Sequence, residues 1–160
     1  MRLYLIQHGE AKPESEDPDR SLTARGEKEV LAVSRKAGSL RIRPSKIYHS
    51  GKLRAKQTAE IFASALSISD SLVQPAQGLN PNDDIHPWEE RISKEKEDLM
   101  LVGHLPFLEK LTSLLLCGDE NARLVLFRYG AIVCLDQKGD KGWAIRWILT
   151  PEMANLSQTA

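Results

Sequence analysis

Three stretches of the chain carry unbroken apolar runs, and each is followed by apolar positions spaced by three and four. The runs are RLYLI (2–6), SKIYHS (45–50) and EDLMLVGH (97–104). Short continuous runs of strand-forming residues predict strands buried on both faces, as in parallel sheets. The stretches that follow them, TARGEKEVLAVSRKAGSL (23–40), KLRAKQTAEIFASAL (52–66) and PFLEKLTSLLL (106–116), have the periodicity of helices with one apolar face. A strand followed by a helix, three times over, predicts an α/β sandwich with right-handed crossovers. Near the end, RLVLFRYGAIVCLDQKGDKGWAIRWIL (123–149) shows three strand-like runs separated by RYG and KGDKG, the second separator being a hairpin sequence. The expected architecture is a three-layer α/β sandwich with a mostly parallel central sheet and antiparallel edge strands. Residues 11–21 and 75–90, rich in Pro, Asp, Asn and Ser, are expected to be loops. RISKEKED (91–98) reads as a solvated helix face.

Composition narrows the picture. At 160 residues and 41% hydrophobic, the chain is sized for one globular domain, placed at 1–151, with 152–160 as a weakly ordered tail. Lys plus Arg equals Asp plus Glu at 22 each, so no global field attracts nucleic acid or a membrane surface, and neither is an expected partner. Cys117 and Cys134 lie in apolar surroundings without CxxC spacing, and both are expected to be reduced core residues. No apolar run approaches the length of a membrane span and the N-terminal run is too short for a signal peptide, so a cytoplasmic location is expected. Neither a metal nor a cofactor is expected.

Candidate chemistry collects at the ends of the predicted strands, where open α/β sheets bind ligands. The first run ends at Gln7-His8-Gly9-Glu10. The second leads into HSGKLRAKQT, with Arg54 in the first helical turn, and the third ends at Gly103-His104. Two histidines and an arginine are thereby brought to one end of the sheet. In this arrangement the chain resembles the histidine phosphatase superfamily, and within it the small phosphohistidine phosphatases of the SixA type. LYLIQHGEA, DRSLTARGEKE, HSGKLRAKQTAEIF and LVGHLPFLEKL carry the resemblance in the family's order and over nearly the whole chain.

The resemblance implies a metal-independent phosphatase, with His8 as the nucleophile, Arg54 and His104 in the catalytic set, and Arg20 from DPDRSLTARG as a further phosphate ligand. LNPNDD resembles a family segment that ends on an acid and makes Asp84 a candidate general acid, with Glu10 as the alternative. One departure stands out: the family's first arginine, directly before the nucleophile, is Gln7 here. Elementary chemistry agrees with the implied roles. A neutral imidazole can attack phosphorus near pH 7, and a transferring phosphoryl group needs cations and hydrogen-bond donors around its equatorial oxygens. Gln7 keeps a donor at that place but no charge. The expected reaction is removal of a phosphoryl group from phosphohistidine of a signalling protein, such as a histidine-phosphotransfer domain, through an enzyme phosphohistidine. A phosphate-binding protein with little turnover and a small-molecule phosphomonoesterase are the alternatives.

Overall fold

The structure is a computed structural model that describes residues 1–139 and 142–155. Its centre is one six-stranded sheet in the order β3-β2-β4-β1-β5-β6. The strands are β1 (Arg2–Gln7), β2 (Lys46–His49), β3 (Val73–Pro75), β4 (Leu99–Gly103), β5 (Ile132–Gln137) and β6 (Trp143–Leu149). The first four are mutually parallel, whereas β5 runs antiparallel to β1, and β6 to β5. The helices are α1 (Ala24–Ser39), α2 (Leu53–Leu66), α3 (His86–Lys94), α4 (Phe107–Cys117) and α5 (Pro151–Asn155).

The continuous apolar run of β1 is explained by burial on both faces. Tyr4 and Ile6 pack into a core with Val30, Val33, Phe62 and Ala154, from α1, α2 and α5. Leu3 and Leu5 point the other way, into a core with Trp88 and Ile92 of α3 and Leu108 and Leu111 of α4. This period of two gives the sandwich its three layers. It also fixes the site. The helix that follows β1 covers one face, and the helix that follows its neighbour β4 covers the other. The chain therefore leaves two adjacent strands in opposite directions, and a crevice opens beyond their carboxyl ends.

Several expectations are corrected. RLVLF forms no strand: Val125 and Phe127 are buried, while Leu124 and Leu126 are 51% and 93% exposed. Its alternation records a loop packed along the α3/α4 side, with the period of a strand but no partner. The stretch 75–90 is only in part a loop, because β3 ends at Pro75 and α3 begins at His86. Trp88 anchors α3 in the core and its indole donates to the Gln77 carbonyl at 3.1 Å. The predicted helix face RISKEKED stops being helical at Lys94. Cys134 is buried as expected, but Cys117, in the last turn of α4, is exposed. Ordering continues past Pro151, since α5 packs Ala154 against the core. In the KGDKG separator, which joins β5 to β6, Asp140 and Lys141 lie outside the described residues, as do residues 156–160 of the expected tail. Among the described residues no helix is long and apolar enough to cross a membrane.

Candidate active site

His8 and His104 emerge from β1 and β4 side by side. The backbone N–H of His8 donates to the Gly103 carbonyl at 3.1 Å, extending the pairing of the two strands by one residue. The imidazole centroids are 4.9 Å apart. Both rings are nearly enclosed, at 7% and 1% exposure, so each is held neutral. Burial is the main cause for both, and it pushes His8 down to about 4 and His104 to about 3. For His104 the neighbouring His8 adds to the effect, and for both rings so do Arg54 and Arg20.

The tautomer of His8 follows from its partners. Nδ1 lies 2.7 Å from the Gly9 carbonyl oxygen, which can only accept, so Nδ1 carries the proton. Nε2 is then a bare lone pair, and it receives the Nε–H of Arg54 at 3.2 Å. An unprotonated nitrogen facing a guanidinium is a nucleophile already aligned with a group that binds phosphoryl oxygens. Burial and the charge of Arg20 both press the Arg54 pKa downward.

The loop after β1 is clamped by residues of the quoted motifs. Gly9 N–H donates to Thr58 Oγ1 at 3.0 Å, and the Thr58 hydroxyl donates to the Arg54 carbonyl at 2.7 Å. Gln57 Oε1 accepts from Leu22 N–H at 2.8 Å, which ties α2 to the loop before α1. Thr23 caps α1 by accepting from Gly26 N–H at 2.9 Å. A Cβ on Gly26 would come within 2.2 Å of the Glu10 carbonyl oxygen, so the SLTARG sequence seats the helix directly on the strand exit. Asp17 gathers the loop by accepting from Ser21 N–H at 2.9 Å, from the Ser21 hydroxyl and from Asp19 N–H at 3.0 Å. Arg20 is held there with φ 53°, in the left-handed region, and its Nε donates to the Lys12 carbonyl at 3.2 Å. Non-glycine residues in this region are uncommon and cluster where function demands a fixed side-chain direction.

Gln7 is 8% exposed and lies on the same side of β1 as Leu3 and Leu5. Its carbonyl accepts from Gly130 N–H at 2.9 Å, and its side-chain amide makes no hydrogen bond to the described residues. The same contact fixes Tyr129, whose ring centroid is 5.5 Å from that of His8. Ser50 Oγ lies 2.6 Å from His104 Nε2, while His104 Nδ1 is buried without a partner among the described residues. Neither Ser50 nor Tyr129 was marked out by the sequence. Ser50 opens the HSGKLRAKQT segment, so its place in the motif offered a clue, but RYG reads only as a turn.

The two candidate acids are not drawn into this cluster. Glu10 Oε1 accepts from the Thr23 hydroxyl at 2.8 Å. Asp84 is exposed, and its Oδ1 accepts from His86 N–H at 3.0 Å and bonds His86 Nδ1 at 2.7 Å at the head of α3. Asp84 lines a cleft of about 780 Å³ that also reaches Ser50. It makes no hydrogen bond to either active-site imidazole, which corrects its expected place among them. On the other side of Ser50, a cavity of about 650 Å³ is bordered by Arg20, Lys52, Arg54 and Lys56, with Glu14 and Asp19. Among the described residues, no group of three or more His, Cys, Asp or Glu side chains is placed to hold a metal ion.

Residues 3–79, which include His8, Arg20 and Arg54, match the family model of the histidine phosphatase superfamily (branch 1). The chain belongs to this superfamily. An uncharacterised protein of Picosynechococcus sp. (strain ATCC 27264 / PCC 7002 / PR-6) is 34% identical over 139 residues, covering 82% of this chain and 83% of that one. GpmB of Salmonella choleraesuis (strain SC-B67), assigned as a phosphoglycerate mutase, is 39% identical over 70 residues, which are 41% of this chain and only 32% of that protein. Among solved structures, the protein histidine phosphatase SixA complexed with tungstate superposes with TM-score 0.82 at 21% identity, covering 94% of this chain and 97% of that one. A protein of Agrobacterium tumefaciens assigned to the SixA phosphohistidine phosphatases gives TM-score 0.75 at 26% identity, with the same coverage. His104 lies beyond the segment that matches the family model, and its membership of the site rests on its geometry beside His8.

Proposed function

We propose that this superfamily member is a phosphohistidine phosphatase that works through a phosphohistidine on its own His8, acting on a phosphorylated signalling protein in the cytoplasm. The observation that carries the reading is the pinned tautomer of His8: Nδ1–H is committed to Gly9, and the bare Nε2 faces Arg54. In the first step the Nε2 lone pair forms a bond to phosphorus. The bond from phosphorus to the substrate imidazole nitrogen breaks, and that nitrogen keeps the electron pair. In the second step a water oxygen attacks the phosphorus of phospho-His8, the P–Nε2 bond breaks, and inorganic phosphate leaves. Arg54 and Arg20, with donors from His104 and Gln7, surround the equatorial oxygens. No step calls for a metal ion.

The preference for a nitrogen leaving group rests on the acids. An alkoxide must be protonated as it departs, whereas an imidazole nitrogen can take its proton from water. Both nearby carboxylates are hydrogen-bonded elsewhere, Glu10 to Thr23 and Asp84 to His86. The test compares kcat/KM for a phosphorylated histidine-phosphotransfer domain with that for p-nitrophenyl phosphate and for an alkyl phosphomonoester. The expected order is phosphohistidine first and alkyl ester last. An alkyl ester turned over as fast as phosphohistidine would move the assignment to a small-molecule phosphomonoesterase. A second reading, a phosphate-binding protein with little turnover, is favoured by the neutral side chain at Gln7. Phosphate binding without hydrolysis of any of the three substrates would select it.

A further inference from the structure

We propose that Lys52 is a third cation of the phosphoryl pocket and supplies the positive charge that Gln7 lacks. The inference rests on the phosphatase reading and adds a residue to it. A phosphoryl group in transfer carries its charge on three equatorial oxygens, and catalysis depends on cations fixed around them. The strand exit that delivers His8 contributes only a neutral amide. Lys52 borders the same cavity of about 650 Å³ as Arg20 and Arg54, and it lies two residues ahead of Arg54. Its ammonium is near enough to act, with Arg54 and Arg20, against protonation of the His104 ring.

The placement of Lys52 is unfavourable without an anion. It occupies the N-cap position of α2, where the helix dipole is positive, and it has no side-chain cap hydrogen bond. The first turn that follows holds Arg54 and no acid. Among the described residues, Arg20, Lys52 and Arg54 make no ion pair, although Glu14 and Asp19 border the same cavity. Lys56 differs, because its ammonium reaches Glu60 at 3.8 Å. Three unpaired cations facing one cavity beside a bare imidazole nitrogen repel one another until an anion enters. A flexible lysine stem suits the remaining place, since it can bring a point charge to an oxygen without the fixed fork of an arginine.

The experiment measures kcat/KM and equilibrium binding of inorganic phosphate for Lys52→Ala, with Lys56→Ala as a control that removes an equal charge from the same cavity wall. Lys52 is exposed and makes no side-chain hydrogen bond to the described residues, so its variant is expected to fold. Lys52→Ala should lower kcat/KM at least about tenfold and weaken phosphate binding, while Lys56→Ala stays within about twofold. In a Gln7→Arg background the loss should shrink to about threefold or less, because the arginine restores the charge and the two substitutions couple. Equal losses for the two lysines would reduce the effect to a general field and overturn the proposal. So would a Lys52→Ala protein indistinguishable from wild type, or a loss that persists in full beside Arg at position 7. If nothing is hydrolysed but Lys52→Ala still weakens phosphate binding selectively, the phosphatase reading fails and the Lys52 assignment stands. If the wild type neither hydrolyses nor binds phosphate, both fall.

Discussion

Gln7→Arg should make the protein a faster enzyme and a less stable one when no anion is bound. Gln7 is 8% exposed at the end of β1 and pairs in register with Gly103, which has no side chain to crowd that side of the sheet. The longer side chain can follow the same direction toward the crevice. A charged bidentate fork there replaces a single neutral amide, and charge-assisted hydrogen bonds are roughly twice as strong as neutral ones. Cations aimed at a transferring phosphoryl group can be worth about 10³-fold in rate, but Arg54 and Arg20 already serve part of the charge. The expected gain in kcat/KM is therefore at least about tenfold, or about 1.4 kcal/mol of transition-state stabilisation. In the anion-free protein the new guanidinium joins two others in a closed space, and a loss of about 1–2 kcal/mol in folding stability is expected. Saturating phosphate should return most of that loss, since a ligand that binds only the folded state stabilises it. Steady-state kinetics on a phosphorylated histidine-phosphotransfer domain and Tm with and without phosphate measure both halves. An unchanged kcat/KM together with a phosphate-induced Tm shift no larger than that of wild type would refute the argument, because the arginine would not be reaching the phosphoryl group.

His8→Ala should lower kcat at least about 10³-fold and abolish the acid-labile phosphate trapped on the wild-type protein after rapid mixing, with phosphate binding partly retained through the cations; a variant with wild-type kcat would exclude His8 as the nucleophile. Both active-site imidazoles are held below the ordinary 6.5, at about 4 and about 3, so as the pH falls the unfolded chain takes up protons first. Their contribution to stability is complete above pH 6.5 and is lost by about 1.4 kcal/mol per pH unit per histidine as the pH drops, to about 4 for His8 and about 3 for His104. NMR titration of the folded protein should show neither ring ionising above pH 5, and a midpoint near 6.5 for either would contradict the burial argument. Ser50→Ala removes the hydroxyl 2.6 Å from His104 Nε2 and should lower kcat/KM by about three- to tenfold, with recovery in Ser50→Thr; no change would leave that hydroxyl without a part in catalysis.

The sheet, its three layers and the convergence of His8, Arg54 and His104 were legible because they rest on periodicity and on strands that end in polar residues. RLYLI announced a doubly buried strand, and LVGH announced where a second strand releases its histidine. RLVLF misled because alternation records which side chains are buried, and a loop lying on a core produces the same pattern as a strand without any hydrogen-bonded partner. The helix at His86–Lys94 was hidden by Pro, Asp and Asn in the segment that leads into it, which read as turn chemistry. Ser50 and Tyr129 escaped for a different reason: each matters through one contact across the fold, and neither has a local signature. Asp84 was overread, since an acid two residues before a helical histidine has a local task as a cap that sequence spacing alone does not separate from catalysis.

The disposition of charge around the crevice explains why the fold keeps its acids nearby and yet out of the chemistry. Asp17 is committed to Ser21, Glu10 to Thr23 and Asp84 to His86, so each carboxylate builds a turn or a helix head that positions part of the site. The cations are treated in the opposite way. Arg20 and Arg54 make hydrogen bonds only through Nε, to a carbonyl and to a bare imidazole nitrogen, and neither meets a carboxylate among the described residues. Pairing either with Asp or Glu would stabilise the empty protein but would have to be broken for a phosphate to enter, and that cost would be charged to binding. Leaving them unpaired keeps the donors free at the expense of mutual repulsion, which an arriving anion relieves. The same exclusion of carboxylates removes the obvious proton donor from the leaving group. A pocket arranged in this way gives its largest advantage to a substrate whose departing atom needs little help with a proton, and the imidazole of a phosphohistidine meets that condition better than an alkoxide does.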